Sequence, residues 1–412
     1  MRLGQDFCPG ILHAVTAKDG LLLRVRIPGG LIDSTQLRTL AHLTANFADR
    51  TLEITSRANL QMRAIHPENV PQIAEAIASI GLLPSLLHDR VRNIVSSPIA
   101  GFDPEELLDP RPLVRELDRK LSANPTFAQL HPKFSFAIFG GPRRFSHDPD
   151  DLTLEAISPT AFRLTIAGTT SAFTAPPAQA IDRILAIAER CIVIAQEFDI
   201  PVRTRKLLAI PGAIERIVAD LAPGLQSPSP KVETRLGTYP TRIVPSIPLG
   251  RLTASQAIHL ADIADRHQAD LRLAPWRGIV LAAIPLDAAP AVIANLQSIG
   301  LTCDDRSGFQ GISACAGITG CDAALTDVRA HATSLAQLLR NHPSPPNWTV
   351  NLSACDKQCA RRHAATADLI AEPNGYTLKL RGQIASTAQS PEQAIQATAT
   401  LHTQLLQEAA AQ

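Results

Sequence analysis

Two kinds of periodicity alternate along this chain. From Ser34 to Ala48, and again from Thr253 to Arg266, apolar residues recur at three- and four-residue intervals, the spacing that lines one face of a helix. The short runs that follow, Leu52-Glu53-Ile54-Thr55 and Leu271-Arg272-Leu273-Ala274, alternate apolar and polar side chains with the period of two expected of half-buried strands. Each block then has a second helical pattern that ends in the same tripeptide, Ile80-Gly81-Leu82 and Ile299-Gly300-Leu301. The same order of elements therefore occurs twice, offset by 219 residues (Ile80 to Ile299).

The repetition extends on both sides of this block. Ile27-Pro28-Gly29-Gly30-Leu31 is echoed by Ile247-Pro248-Leu249-Gly250-Arg251 at an offset of 220. Further on, Phe162 to Gly168 matches Tyr376 to Gly382, and Gln179-Ala180-Ile181 matches Gln393-Ala394-Ile395, both at 214. Two unrelated domains with similar patterning would not share tripeptides in the same order. Strand, helix, strand, strand, helix is most of a ferredoxin-like unit. The expected architecture is α+β: a pseudo-twofold duplication of a ferredoxin-like unit followed by a larger α/β unit. Four units are expected, at 1–88, 89–222, 223–306 and 307–412, with the turn-rich stretch Pro223 to Pro230 joining the halves. Phe134 to Gly141 takes the place of Trp348 to Cys355, so the first half keeps a strand and turn but offers no thiol there. A cleft between such halves is where a large ligand would fit.

Composition narrows the function classes. With 412 residues and 45% hydrophobic content the chain can bury a large core. A net charge of +1 and only 4% aromatics argue against a nucleic-acid-binding chain. No uninterrupted apolar run is long enough to span a bilayer. The opening Met1 to Asp6 meets an acid, and Pro9 follows, before a signal-like apolar stretch could form, so a cytoplasmic location is expected. Neither G-x-G-x-x-G nor a P-loop occurs, so no built-in nicotinamide or ATP site is expected.

Four of the seven cysteines form two close pairs, Cys315-x5-Cys321 and Cys355-x3-Cys359. Disulfides do not suit a reducing cytosol. Structural zinc favours tighter spacing than C-x5-C. Four buried thiols placed by chance are a further reading, although chance seldom gives two close pairs. A 4Fe-4S cluster fits better, because four thiolates on separate irons tolerate longer intervening loops. Cys191 and Cys303 stand alone and read as small apolar residues. Cys8 is isolated too, and no role is assigned to it.

Basic residues of the first half gather at turns and strand ends: Arg57, Arg63, Arg92, Lys133, Arg143 with Arg144, and Arg203 with Arg205 and Lys206. Any one of them alone is more often a solvated charge than a ligand, but turns and strand ends are the usual place for site residues on α/β scaffolds. His66, His131, His147 and His363 lie near the motifs without forming a recognisable facial triad.

The paired cysteine spacing is also the signature of the sulfite and nitrite reductase superfamily, which the chain resembles over nearly its whole length. Cys8-Pro9-Gly10, Asp19-Gly20-Leu21-Leu22, Pro28-Gly29-Gly30, Thr55 to Gln61 and Ala314-Cys315-Ala316-Gly317 make it most similar to the superfamily's precorrin-3B synthases. That resemblance implies a 4Fe-4S cluster on Cys315, Cys321, Cys355 and Cys359 and a mononuclear non-haem iron whose ligands the sequence does not name. It also implies a tetrapyrrole site whose carboxylates face Arg57, Arg92 and Lys133, with Arg63, Arg143 and Arg205 as further candidates. A uroporphyrinoid carries about eight carboxylates, and guanidinium forks bind such groups bidentately. The implied reaction is oxygen-dependent hydroxylation of precorrin-3A with closure of a γ-lactone. Its electrons would come from a separate NAD(P)H-dependent reductase or a ferredoxin. Sulfite reductases of the superfamily place a second lysine two residues beyond the first, and here that position is Ser135. A sirohaem-dependent sulfite or nitrite reductase is the alternative enzyme, and a zinc-stabilised tetrapyrrole-binding protein the alternative without activity.

Overall fold

Both periodic blocks fold as their patterns predict. The computed structural model describes residues 8–145, 149–168, 173–219, 221, 231–232, 236–361 and 363–411. Within it Ser34–Phe47 and Ala254–His267 are helices, each opened by a capping box, Asp33 with Gln36 and Thr253 with Gln256. The two glutamine amides also donate to Ile80 O (3.1 Å) and Ile299 O (3.0 Å). These carbonyls belong to the shared tripeptides, whose glycines have φ of 75° and 77°. Gly81 and Gly300 thus stop the second helices, Val70–Ser79 and Ala289–Ser298, in the left-handed conformation that glycine allows. Leu82 and Leu301 then return to the core, where both are buried.

The two ferredoxin-like sheets interlock. In the first, strands Val15–Ala17, Gly20–Val25, Leu60–Ile65 and Thr51–Ile54 are extended by Arg251–Thr253 of the second half, with Leu252 opposite Leu52. In the second, Gly237–Tyr239, Arg242–Val244, Gly278–Ala282 and Asp270–Ala274 are extended by Leu31–Ile32 of the first half. Each half therefore lends one short strand to the other, directly after its Ile-Pro turn. The close approach requires a glycine: Gly30 has φ of 70°, and a Cβ there would lie 2.3 Å from Leu273 O across the junction. Helices Ser34–Phe47 and Ala254–His267 pack on each other, and Leu37, Leu40, Leu252, Leu260 and Leu271 share one core.

The larger units repeat as well. The first sheet runs Ile94–Ser96, Phe136–Phe139, Leu152–Ser158, Ala161–Ile166, Phe173–Ala175. The second runs Ile312–Ala314, Val350–Ser353, Ala367–Glu372, Gly375–Leu380, Gln383–Gln389. In each, the first three strands are parallel and the last two pair antiparallel. Long helices, Pro177–Glu197 and Pro391–Ala410, cover them. The expected pseudo-twofold α+β duplication is the observed fold. No helix among the described residues is long and apolar enough to cross a membrane. The joining stretch Pro223 to Pro230, the opening Met1 to Asp6, and His147 lie outside the described residues.

Candidate functional site

Parallel strands place two of the paired cysteines side by side. Ala314 is in register with Leu352, so Cys315 and Cys355 leave neighbouring strands at their carboxyl ends. The Ala354 N–H donates to Cys315 Sγ at 3.4 Å, tying the two strand ends together. Cys321 follows the short helix Gly317–Gly320, and Cys359 lies on the loop after Cys355. None of the four is in a disulfide among the described residues; Cys359 is exposed and the other three are half-buried. Among the described residues no three Cys, His, Asp or Glu side chains are gathered as ligands of one ion. Four thiols on adjoining loops of one sheet fit the donor set of a cube, which spreads its ligands over four irons. In the first half, by the offsets of the flanking strands, Ser97 and Gly141 stand where Cys315 and Cys355 do. Cys191 is fully buried, which pushes its thiol up to about 12. Cys303 is half-buried and raised to about 11 for the same reason.

Arg57 sits in the turn between strands Thr51–Ile54 and Leu60–Ile65. Thr55 Oγ1 accepts from Arg57 N (3.3 Å) and Asn59 N (3.1 Å), while Asn59 Oδ1 accepts from Ile27 N (2.8 Å). The threonine and asparagine of the motif thus build the turn and present the arginine. Its Nε has no hydrogen-bond partner, and the nearest carboxylate oxygen, on Asp150, is 4.0 Å away. Arg24 is half-buried beside it, lowered by desolvation first and by the charges of Arg277 and Arg57, although Cys8 acts the other way. Lys133 lies on a loop held from both sides, because Asn93 Nδ2 donates to Pro132 O (2.9 Å) and Phe134 O (3.2 Å). Its ammonium has no partner among the described residues.

Three of the remaining arginines expected to grip a ligand are held by the protein, and the fourth is exposed. Arg92 is buried, forks on Asp118 (2.7 and 2.7 Å) and donates to Leu82 O (2.9 Å). Arg63 forks on Asp19 (2.9 and 2.9 Å) and donates to Gly320 O. Arg143 meets Asp103 (3.3 Å) and Glu105 (2.6 Å). Arg205 is exposed on the short helix Thr204–Leu207.

Three features of this region were not read from the sequence. Asp150 is buried against Arg57 and raised to about 6, by burial first and by Asp151, with Arg57, Ser135 and Arg144 opposing. Asp151 beside it is fully engaged, accepting from Ser135 N (3.1 Å), Thr204 N (2.9 Å), Thr204 Oγ1 (2.8 Å) and Arg203 Nε (3.1 Å). Ser135, already singled out in the sequence, has its buried Oγ beside Asp150 without a well-formed hydrogen bond among the described residues. Arg277 stands 220 residues beyond Arg57, the offset of the Ile-Pro echo, so the duplication itself carried the signal for it. Cys8, assigned no role above, is buried with its Sγ 3.6 Å from Arg26 Nη2 and donating to Pro132 O (3.4 Å).

Comparison with known proteins matches these parts. A family model described as the nitrite/sulfite reductase ferredoxin-like half domain matches residues 13–80 and 243–299. The nitrite and sulphite reductase 4Fe-4S domain matches residues 88–194, the copy without the paired cysteines. Together they span more than half of the chain. A precorrin-3B synthase of Sinorhizobium sp is 27% identical over 401 residues, covering 93% of this chain and 83% of its own. A sulfite reductase [ferredoxin] of Mycolicibacterium paratuberculosis is 27% identical, covering 84% and 69%. A ferredoxin–nitrite reductase of Synechococcus elongatus is 28% identical, covering 88% and 78%. The solved Mycobacterium tuberculosis NirA protein shares the fold, with a TM-score of 0.72 and 23% identity over 88% of this chain and 75% of that one.

Proposed function

This chain belongs to the nitrite and sulfite reductase family, and from that premise we propose that it is a precorrin-3B synthase, an oxygen-dependent monooxygenase acting on a tetrapyrrole substrate. The observation that carries this reading is the pair Ser135 and Asp150. A site that holds sulfite or nitrite needs cations around the oxyanion, whereas here a neutral hydroxyl and a buried carboxyl stand beside Arg57. Such an arrangement favours a small oxyanion less than a ring of cations would. It suits a site in which carboxylates enter at the periphery and an oxygen atom is handled at the centre.

In this reading Cys315, Cys321, Cys355 and Cys359 hold a 4Fe-4S cluster. The cluster would pass single electrons from a separate NAD(P)H-dependent reductase or ferredoxin. Arg57 and Lys133 grip carboxylates of precorrin-3A, with half-buried Arg24 adding positive potential behind them. Asn93 fixes the Lys133 loop, and Asp150, raised to about 6, is mostly ionised at neutral pH but takes up a proton more readily than an ordinary carboxyl. Hydroxylation consumes two protons as the second oxygen atom of O2 leaves as water, and a carboxyl poised near 6 is suited to supply one. The second reading, a sirohaem-dependent sulfite or nitrite reductase, is favoured by relatives of equal identity.

A visible spectrum of anaerobically purified protein tests the reading. The proposal predicts a broad brown shoulder that Cys315→Ser and Cys355→Ser abolish and Cys191→Ser preserves. Sharp Soret and red bands would favour the reductase, and a colourless protein containing zinc would remove the redox role.

A further inference from the structure

Two arginines, one from each ferredoxin-like sheet, end beside cysteines of the paired motifs. Arg63, on a strand of the first ferredoxin-like sheet, donates from Nη2 to Gly320 O, the carbonyl of the residue before Cys321. Arg277, in the turn between strands Asp270–Ala274 and Gly278–Ala282 of the second sheet, donates to Ala360 O (2.6 Å), the residue after Cys359. Neither contact is incidental. Arg63 is 4% exposed and fixed by its fork on Asp19, and a Cβ on Gly320 would lie 2.6 Å from its Nη2, so both partners are shaped for each other. Arg277 has a left-handed φ of 64° and packs so closely on Gly250 that a Cβ there would lie 2.6 Å from its own.

We propose that Arg63 and Arg277 are positioning residues for the iron–sulfur cluster, one from each ferredoxin-like unit, each clamping the peptide beside a cysteine ligand and adding a permanent positive charge there. The inference rests on the cluster assignment above. A guanidinium does not lose its proton in the working range, so the charge is constant. When an external one-electron donor reduces the cluster, no bond forms or breaks and the centre gains one negative charge. A fixed cation nearby stabilises that state and raises the reduction potential. A loop whose carbonyl is held by a charge-assisted hydrogen bond also keeps its thiolate in place. Cluster retention therefore depends on both ferredoxin-like units being docked, although neither supplies a ligand.

The test uses the full chain, reconstituted anaerobically with ferrous iron and sulfide, as wild type and as Arg63→Gln, Arg277→Gln, Arg63→Lys and Arg277→Lys. Iron and sulfide content and the midpoint potential, titrated optically with dithionite, are read together with the apo melting midpoint. The expected result is that each Gln variant binds less cluster. What it binds should have a lower midpoint, so that the oxidised-to-reduced ratio at the wild-type midpoint rises about tenfold, equal to 59 mV for one electron. The Lys variants should keep most of the potential while losing retention. Should Arg63→Gln fail to fold, Arg277→Gln, whose side chain is less buried, carries the test. Unchanged content and midpoint in the Gln variants, with wild type loaded, would overturn the role of the arginines alone. A wild-type chain that takes up no iron and sulfide would overturn the cluster assignment with it.

Discussion

Side chains that look alike in the sequence separate once their partners are known. Arg57 and Arg92 were equal candidates for gripping carboxylates, yet one has a free Nε and the other is buried on Asp118 and a backbone carbonyl. Spacing could place both at turns, but it could not show that a helical aspartate 26 residues on would claim Arg92. Arg57→Ala is therefore expected to weaken tetrapyrrole binding by roughly 30- to 150-fold, because a stranded ligand carboxylate costs about 2 to 3 kcal/mol. The apo melting midpoint should barely move. Arg92→Ala should behave oppositely, lowering stability by about 3 kcal/mol as Asp118 is left without its partner. Fluorescence quenching by the tetrapyrrole and apo melting curves separate the two, and equal losses in both assays for Arg57→Ala would make it a structural residue. Asp150 gives a pH-dependent expectation. Its folded value of about 6 lies above the ordinary 3.8, so the native state holds the proton more tightly than the unfolded chain. The resulting cost to folding is absent below about 3.8 and is reached in full as pH rises past about 6. Asp150→Asn should thus be more stable than wild type at pH 8, by a margin on the order of 1 to 3 kcal/mol, with the advantage vanishing near pH 4. Denaturant midpoints at the two pH values check this, and a gap independent of pH would contradict it.

Elements with enough residues to show a period were legible, and shorter ones were not. The helices Ser34–Phe47 and Ala254–His267 and the Ile-Gly-Leu stops followed from apolar spacing and from the repeat itself. The exchanged strands Leu31–Ile32 and Arg251–Thr253 are two and three residues long, too short for any alternation to register. Their signal was instead the Pro28-Gly29-Gly30 turn, which aims the chain across the junction. Gly30→Ala should expose this dependence. A left-handed φ and an overlap with Leu273 O are expected to cost roughly 2 kcal/mol or more. Gly81→Ala meets nothing within 4 Å at its Cβ and bears only the backbone strain, so it should cost less. Melting curves of the two variants decide it, and the reverse order would mean that the junction is not tight.

The whole molecule divides its labour between halves that share one architecture. The first half carries the cations Arg57 and Lys133, the second carries the paired thiols, and polar contacts tie them together. Arg329, on the helix Val328–Leu339 of the cysteine-bearing unit, reaches Glu53 on the first ferredoxin-like sheet. Burial pushes Glu53 up, but Arg329, Gln61 and Arg251 outweigh it and hold the carboxyl below its usual range. The duplication was readable from shared tripeptides; the way the halves interlock was not, because contacts such as Arg63 with Gly320 join residues 257 apart with no local pattern. The central claim is that the tetrapyrrole is the substrate and dioxygen the oxidant. Its most direct test is mass spectrometry of precorrin-3A incubated with the anaerobically reconstituted protein, a low-potential electron donor and oxygen-18 gas. The account predicts a hydroxylated, lactonised product carrying one oxygen-18 atom, formed only when donor and cluster are both present. Recovery of unaltered tetrapyrrole, together with sustained sulfide or ammonia production from sulfite or nitrite once sirohaem is supplied, would contradict it.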